Sequence, residues 1–365
     1  MITLEEVEKL RAIRSDEPAI LSLYLPVPLD PAGLRELPAR ARELTEAAAA
    51  QAGQAAGPDR DAVAALVAAR GRDWLGHTAA IFACDSLSLL EVVLLPGEHA
   101  GQAAFGHAPC VRPLLAAVQR CPAYLIVVAD RRHAWLLSVT AGQAETIMRT
   151  EEPPQAPPRF GGWQGRDAYR VQHRAIQHDR DHYRQVAGIL ARQAASGRGR
   201  PVVAGGHAES VGQLVRVMPP RVRASFAGSF AADLHTLTAA GARELAGPVI
   251  DRWSARREQE ATAAVFGAGS GEHRAVGLGA CLGAVQAGGI SLLLLRDGAQ
   301  APGWACDRCG ALMTERAGCP HRGEAVQPVP DLLEPLAGRV LDDGGQVLAV
   351  RRAPADVAAR LRYPS

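Results

Sequence analysis

The chain has 365 residues, of which 48% are hydrophobic, and its formal net charge is +2. At roughly 100–200 residues per domain this length predicts two or three domains, and the balanced charge excludes a wholly polybasic chain, so any nucleic-acid contact must come from a local patch. No apolar run reaches the roughly 18–20 residues of a membrane span, and the first residues lack the apolar centre of a signal peptide, so we expect a cytoplasmic protein with no membrane partner.

The first predicted domain, residues 1–118, is a divergent α/β domain. A helix is expected from Leu4 to Ile13, and residues 19–26 alternate like a strand. Two Ala- and Arg-rich helices follow over residues 34–56 and 60–75. Residues 78–83 and 89–95 form a predicted strand pair, and residues 97–113, rich in Gly, Pro and His, are expected to be a loop.

The second predicted domain, residues 119–239, is a mixed-sheet domain. Residues 123–129 form a buried-strand pattern, and residues 134–139 and 144–149 return as two further strands. After a Pro-rich connector, a long helix is expected from about Asp167 to Ser196, followed by a strand at residues 202–204 and a helix at residues 209–217. This alternation of strands and helices favours an α/β domain.

The third predicted domain, residues 240–365, begins with a helix over residues 240–265. Residues 275–287 are expected to be helical, residues 290–295 and 347–350 to be strands, and residues 354–361 to form a last helix. A helix is also expected within residues 326–340. Residues 304–323 form a Cys-rich insertion in this domain.

The insertion has the spacing of a metal site. Cys306 and Cys309 enclose two residues, as in a zinc knuckle, and Cys319 follows shortly after. The fourth position of a second Cys-x-x-Cys is Arg322, which cannot bind a metal, so His321 is the available fourth ligand. We therefore predict a structural Zn²⁺ site, and the alternative is a decayed ribbon with reduced thiols.

The predicted long helix and the loop before it are basic. Cationic side chains repeat along the helix at Arg166, Arg170, Arg174, His178, Arg180 and Arg184. Such a face neutralises phosphates and binds RNA in a salt-dependent way. The alternative is a solvated helix face in a chain whose only lysine is Lys9.

The loop before this helix carries Arg159, Gly161, Gly162, Trp163 and Gln164. An exposed tryptophan in such a loop can stack on a base. The plainer alternative is that Trp163 folds back onto its own domain.

In order along the chain, several segments resemble the bacterial relatives of archaeal and eukaryotic release factor 1, the group that includes the ribosome hibernation factor Balon. These segments are residues 22–26, residues 124–139 with Asp130-Arg131-Arg132, the Gly161-Gly162-Trp163 loop with its basic helix, residues 274–295, and residues 361–363. The resemblance implies a three-domain α/β chain with a mixed-sheet central domain. It also implies a third domain of the L30/L7Ae-like α/β type with a small zinc-ribbon-like insertion.

The same resemblance implies a protein that binds ribosomal RNA in the A site, with the tRNA-delivering elongation factor as a possible partner. Trp163 stands where release factors carry the Gln of Gly-Gly-Gln, so the loop is expected to enter the peptidyl transferase centre without releasing peptide. A hibernation or stress-protection factor with no catalytic residue and no small-molecule substrate is therefore expected. Two alternatives remain open: a peptidyl-tRNA hydrolase or rescue factor using Gln164, and a protein-interaction module unrelated to the ribosome.

Overall fold

The computed structural model describes residues 4–15, 17, 19–52, 57–97, 99–140, 142–150, 166–195, 200–267, 271–306, 308–316, 319 and 326–364. These residues divide into two compact units. Unit 1 contains Met1–Gln119 and Arg257–Ser365, and unit 2 contains Arg120–Arg256. The predicted first domain and residues 257–365 of the predicted third domain therefore lie in one unit, whereas residues 240–256 belong to unit 2. The three-part division of the chain remains a prediction.

The amino-terminal part of unit 1 is a four-stranded antiparallel sheet with helices beside it. Its elements are α1 (Leu4–Ala12), β1 (Ile20–Pro26), α2 (Pro31–Ala52), α3 (Pro58–Arg70), β2 (His77–Cys84), β3 (Leu89–Pro96), β4 (Gln102–Gly106) and α4 (Arg112–Arg120). The strand order is β3-β2-β1-β4. All seven residues of β1 are buried because the strand is central.

The loop expected at residues 97–113 contains a strand, so that prediction is wrong in part. β4 pairs antiparallel with β1, with Gln102 opposite Tyr24 and Gly106 opposite Ile20. The Gly- and Pro-rich composition of the segment suppressed the strand signal, and the pairing with the edge of β1 that β2 leaves free supplies the order that local propensity does not.

Unit 2 is a five-stranded mixed sheet with helices on both faces. Its elements are β5 (Tyr124–Ala129), β6 (Ala134–Thr140), β7 (Gln143–Thr150), α5 (Arg166–Ala195), β8 (Val202–Gly205), α6 (Ala208–Val217), α7 (Pro220–Ala224) and β9 (Phe226–Phe230), and α8 (Ala239–Phe266) follows. The strand order is β7-β6-β5-β8-β9, and β5, β8 and β9 run parallel. This arrangement confirms the predicted mixed-sheet α/β domain, although neither β9 nor α7 was predicted.

Helix α5 covers one face of this sheet, and its packing explains why the sequence forms a long helix. Tyr183, Val186, Ala187 and Leu190 are buried against β5, β6 and β8, and their spacing places them on one side of a helix. Full burial of an aliphatic side chain such as Leu190 contributes roughly 1.5–3 kcal/mol. On the opposite side, Arg180, Arg184 and Arg192 are exposed to solvent.

The carboxyl-terminal part of unit 1 contains a second four-stranded sheet and a small three-stranded sheet. Its elements are β10 (Arg274–Val276), α9 (Leu278–Gln286), β11 (Ile290–Arg296), β12 (Gly303–Ala305), β13 (Leu312–Met313), β14 (Gln327–Val329), α10 (Leu333–Asp342), β15 (Gln346–Val350) and β16 (Val357–Leu361). The larger sheet has the order β10-β16-β11-β15, and the smaller one has the order β13-β12-β14. The α/β character predicted for this part of the chain is confirmed.

The last helix, predicted at residues 354–361, is wrong, because the segment is strand β16. It lies between β10 and β11 and pairs antiparallel with both. Four of its five residues are buried. Ala and Arg favour helices locally, but the two free strand edges and the burial of Ala358 and Ala359 favour a strand here.

Residues 275–287, predicted as one helix, contain a strand and a shorter helix. β10 ends at Val276, and α9 begins only at Leu278. Gly277 between them has φ +87°, a conformation that glycine adopts readily and that a continuous helix excludes. None of the helices in the described residues is long and apolar enough to cross a membrane.

Candidate functional site

Two of the predicted sites fall within the described residues, at least in part. The loop residues Arg159, Gly161, Gly162, Trp163 and Gln164 lie outside them. Arg166, Arg170, Arg174 and His178 belong to α5, but their side chains are not among those described. Arg180 and Arg184 are described in full.

The described part of α5 carries exposed arginines. Arg180, Arg184 and Arg192 are exposed, whereas Tyr183 and Leu190 on the other side are buried. Asp181 forms an ion pair with Arg184, with 3.0 Å between Oδ1 and Nη1. Because this pair is exposed, its free-energy contribution is small. The outward side of α5 thus presents cations on a helix that is held rigidly by its core.

The turn between β5 and β6 is fixed to two helices of unit 2. Arg131 lies 3.2 Å from Glu209 of α6 and 3.9 Å from Asp179 of α5. Asp130 accepts hydrogen bonds from the backbone N–H groups of Arg132 and His133, at 2.7 and 2.6 Å. Burial opposes ionisation of Asp130, but these hydrogen bonds and the neighbouring His133 ring outweigh it, so the pKa of Asp130 is lowered.

The predicted metal ligands Cys306, Cys309 and Cys319 are brought together. Their sulfur atoms lie within 4.8 Å of one another, and Cys309 Sγ is 3.2 Å from Cys319 Sγ. Cys306 is 1% exposed and Cys319 is 3% exposed, so the cluster is largely shielded from water. Three convergent, shielded thiols are the donor set that Zn²⁺ prefers. The fourth predicted ligand, His321, lies outside the described residues.

The backbone around Cys306 has the shape of a metal knuckle. The N–H of Gly310 donates to the carbonyl of Cys306 at 2.7 Å, and the N–H of Cys306 donates to the carbonyl of Ala311 at 3.0 Å. Gly310 has φ +66°, which only glycine adopts at little cost. A hydrogen bond from the backbone of Ala311 favours the Cys309 thiolate, but the neighbouring thiols of Cys319 and Cys306 oppose it, so the pKa of Cys309 is raised. A bound divalent cation would favour the thiolate form of all three cysteines, so the residues present fit a metal ion.

Unit 1 also contains a polar cluster that the sequence did not reveal. Arg112 bonds to Asp331 and donates to the carbonyl of Ala299 at 2.7 Å, and Glu334 accepts from the backbone of Val111 and Arg112. An open cavity of about 770 Å³ lies beside it, with Tyr24 and Trp304 in its wall. The expectation that no small molecule is bound remains a prediction.

A second cluster missed from the sequence lies in unit 2, where Asp130, His133 and His235 converge within 4.8 Å. Asp130 and His133 were visible as neighbours, but His235 lies about a hundred residues later and follows the unpredicted strand β9. The sequence did contain one signal of this cluster, which is the Asp-x-x-His pattern directly after a buried strand.

Comparison with known protein families gives a match to the central stretch of the chain. Residues 109–258 match the model described as bacterial archaeo-eukaryotic release factor family 10. The resemblance predicted from the sequence to a release factor 1-like family is confirmed over this stretch. A search of curated proteins finds no match.

Several solved structures align with most of the chain. A crystal structure of the archaeal translation termination factor aRF1 is 13% identical, covers 99% of this chain and 99% of its own, and has a TM-score of 0.26. Pelota in a model of ribosome-bound archaeal Pelota and ABCE1 is 15% identical, covers 79% of this chain and 78% of its own, and has a TM-score of 0.42. Dom34 from S. cerevisiae, a termination-like factor of RNA quality control that interacts with Hbs1, is 10% identical, covers 79% and 80%, and has a TM-score of 0.39. At these identities and scores no site and no activity is transferred.

Proposed function

We propose that this chain is a release factor 1-like translation factor that acts in the cytoplasm by binding the ribosome. The match of residues 109–258 to the release factor family supports this proposal. The observation that carries it is the exposed arginines of α5, Arg180, Arg184 and Arg192, on a helix whose other side is buried. Ribosomal RNA presents a continuous phosphate surface that such a face binds without reading sequence.

The same proposal extends to the place of binding. In release factor 1 proteins the loop before this helix enters the peptidyl transferase centre, so α5 would line the A site and the elongation factor that delivers tRNA is a candidate partner. In this sequence Trp163 occupies the position of the release-factor Gln, and Gln164 follows one residue later. Because ångström-scale placement determines hydrolysis, we infer occupation of the centre without peptide release, which fits a factor that protects idle ribosomes.

The cysteine cluster supports a structural role for Zn²⁺ within this protein. Cys306, Cys309 and Cys319 would supply three thiolates, and His321 is the proposed fourth ligand. When bound, the ion would cross-link the end of β12 to the segment that follows β13. A four-ligand site of this type leaves no open position for a reaction.

Sucrose-gradient co-sedimentation of the purified chain with vacant 70S ribosomes, at low and moderate salt, tests the proposal. We expect the wild-type chain to migrate with ribosomes and a Gly162→Trp variant to bind more weakly. A matched pair of charge reversals sharpens the test: Arg180→Glu on α5 should weaken binding, whereas Arg216→Glu on α6, also exposed, should not. Wild-type protein that stays at the top of every gradient would overturn the proposal.

A second measurement separates occupation from hydrolysis. Programmed ribosome complexes carrying peptidyl-tRNA are mixed with the chain, and peptide release is timed beside a genuine release factor. We expect no release above background. Release at a comparable rate that is lost in a Gln164→Ala variant would instead identify a peptidyl-tRNA hydrolase or rescue factor.

A further inference from the structure

We infer that Asp130, His133 and His235 form a divalent-metal site of the Zn²⁺ type at the carboxyl edge of the parallel strands in unit 2. The inference is independent of ribosome binding and of the cysteine cluster, which lies in unit 1. Three side-chain donors from two distant segments converge there within 4.8 Å.

The two separations between the carboxylate and the imidazole donors are close to those around a tetrahedral ion. Asp130 Oδ2 lies 3.1 Å from His133 Nδ1 and 3.5 Å from His235 Nε2. Zinc bonds of about 2.0–2.1 Å in tetrahedral geometry separate neighbouring donors by roughly 3.3 Å. The two measured distances lie on either side of this value, and His235 is 64% exposed, so its ring can adjust by the few tenths of an ångström required.

The carboxylate is oriented so that one oxygen is left for a ligand. Oδ1 of Asp130 is occupied by the backbone N–H groups of Arg132 and His133. Nδ1 of His133 lies 3.3 Å from Oδ1 and 3.1 Å from Oδ2, and Nε2 of His235 lies 3.5 Å from Oδ2, so Oδ2 is the oxygen that faces both imidazole rings. The ring centroids are 5.1 Å apart in an edge-to-face arrangement. Hydrogen bonds to the other carboxylate oxygen are the support that metal-binding carboxylates usually have.

The fold brings His235 to this place. The chain leaves β9 at Phe230 and passes the ends of β8 and β5 before it enters α8. Leu234, 5% exposed, anchors this connector in the core beneath the sheet. Asp233 accepts a hydrogen bond of 3.0 Å from the backbone N–H of His235, which fixes the turn.

Gly206 allows the ends of β8 and β5 to approach each other closely. It follows β8 with φ +138°, and a Cβ atom there would lie 2.6 Å from the carbonyl oxygen of Ala129. Only glycine permits this approach. The carboxyl edge of parallel strands is also where α/β proteins most often bind ligands.

The surrounding charges favour a cation. Arg131, next to Asp130, is directed to Glu209 and Asp179, at 3.2 and 3.9 Å. Asp130, Asp179 and Glu209 carry three formal negative charges against the two positive charges of Arg131 and Arg132, which leaves an excess of one negative charge. With three protein donors, the fourth coordination position would be open to water or to a ligand, as in zinc sites that exchange ligands.

Metal content of the full-length protein tests the inference. The chain is loaded with Zn²⁺ and dialysed, and the bound metal is measured per chain for wild type, His235→Ala and His133→Ala. His207→Ala is the matched control, because His207 is exposed at the same sheet edge but is not part of the cluster. We expect each of the two cluster variants to lose one equivalent and the control to lose none.

Cobalt substitution distinguishes this site from the cysteine cluster. Co²⁺ bound by thiolates has strong sulfur-to-metal charge-transfer absorption, whereas a site of one carboxylate and two imidazoles has only weak ligand-field bands. His235→Ala should remove ligand-field absorption and leave charge-transfer absorption unchanged, with an unaltered circular dichroism spectrum. Equal metal content in wild type, His133→Ala and His235→Ala would overturn the inference, and so would loss of charge-transfer absorption in His235→Ala.

Discussion

Oε1 of Glu334 accepts a 2.7 Å hydrogen bond from the backbone N–H of Val111, a residue 223 positions earlier in the chain. Oε2 of Glu334 accepts from the backbone N–H of Arg112 at 3.1 Å and from the thiol of Cys110 at 3.2 Å. One carboxylate therefore connects the first residues of α10 to the start of α4 and joins the two ends of the chain within unit 1.

Replacing Glu334 by Ala should destabilise unit 1. The change leaves the N–H groups of Val111 and Arg112 without an acceptor in a largely buried place, which costs about 1–3 kcal/mol. Urea unfolding followed by circular dichroism measures the loss, and Glu91→Ala, at an exposed position of β3, is the control. Equal unfolding free energies for the two variants would contradict the role of Glu334.

The same carboxylate should make stability depend on pH. Burial raises the pKa of Glu334 above its ordinary value of 4.5, although the backbone N–H groups partly oppose the shift. The folded chain thus holds the proton to a higher pH than the unfolded chain, so the contribution is greatest below pH 4.5 and falls as the pH rises through the folded-state pKa. Relative to Glu334→Gln, which cannot ionise, the wild type should lose unfolding free energy as the pH rises. The prediction would be refuted if the difference in unfolding free energy between wild type and Glu334→Gln were the same below and above the folded-state pKa of Glu334.

Gln119 should stabilise unit 1 by hydrogen bonding to the backbone of the edge strand β15. Its side-chain amide donates to the carbonyl of Val347 at 2.7 Å and accepts from the N–H of Ala349 at 2.8 Å, as another strand would do for β15. Gln119→Leu keeps the volume but leaves both backbone groups unpaired, and we expect a loss of about 1–3 kcal/mol. Chemical denaturation measures it. Gln119→Glu keeps the acceptor for Ala349 but replaces the donor to Val347 by a carboxylate oxygen that repels the carbonyl, so it should also lose stability.

Removing the metal ion from the cysteine cluster should lower the melting temperature of the protein. Cys309→Ser is expected to lose the thiolate-bound Zn²⁺ and to melt at a lower temperature, as the wild type should after chelation. Cys121→Ser, at an exposed thiol outside the cluster, is the control. Metal analysis and thermal unfolding with and without chelator give the answer, and identical melting curves for Cys309→Ser and Cys121→Ser would speak against a structural ion.

Arg180 and Arg184 should differ in their effect on ribosome binding. Arg184 already pairs with Asp181 at 3.0 Å, so part of its charge is compensated, whereas no carboxylate among the described residues pairs with Arg180. Arg180→Ala should therefore reduce the salt dependence of binding by about one phosphate contact, and Arg184→Ala by less. Affinity measured over a series of salt concentrations decides the order. A larger effect at Arg184 would show that Asp181 gives up its partner on binding.

Much of this architecture could be predicted from the sequence. Buried runs such as residues 124–129 and 290–296, and the apolar stripe of α5, have clear periodicity, so the strands and the long helix were predicted close to their observed bounds. β9 was missed because Gly228 and Ser229 interrupt its apolar pattern. β16 was mistaken for a helix because alanine and arginine favour helices unless strand partners are present.

The sites were predictable where their residues are close in sequence. Cys306, Cys309 and Cys319 lie within fourteen positions and converge as their spacing indicated. His235 and Glu334 find their partners only through tertiary structure, since Asp130 and Val111 lie 105 and 223 positions away. No local pattern reports such pairs, and their recognition requires the strand order.

The position of β16 has a consequence for synthesis. Unit 1 is made of the two ends of the chain, and unit 2 is inserted between them. The last strand of the sequence, Val357–Leu361, is an inner strand of its sheet. During translation unit 2 has all its residues well before unit 1, and β10 and β11 can gain the strand between them only once β16 has left the exit tunnel. The amino-terminal sheet β3-β2-β1-β4 is made within residues 20–106 and does not need β16. A nascent chain stalled before Val357, however, leaves the facing edges of β10 and β11 unpaired, so it should be a substrate for chaperones and proteases.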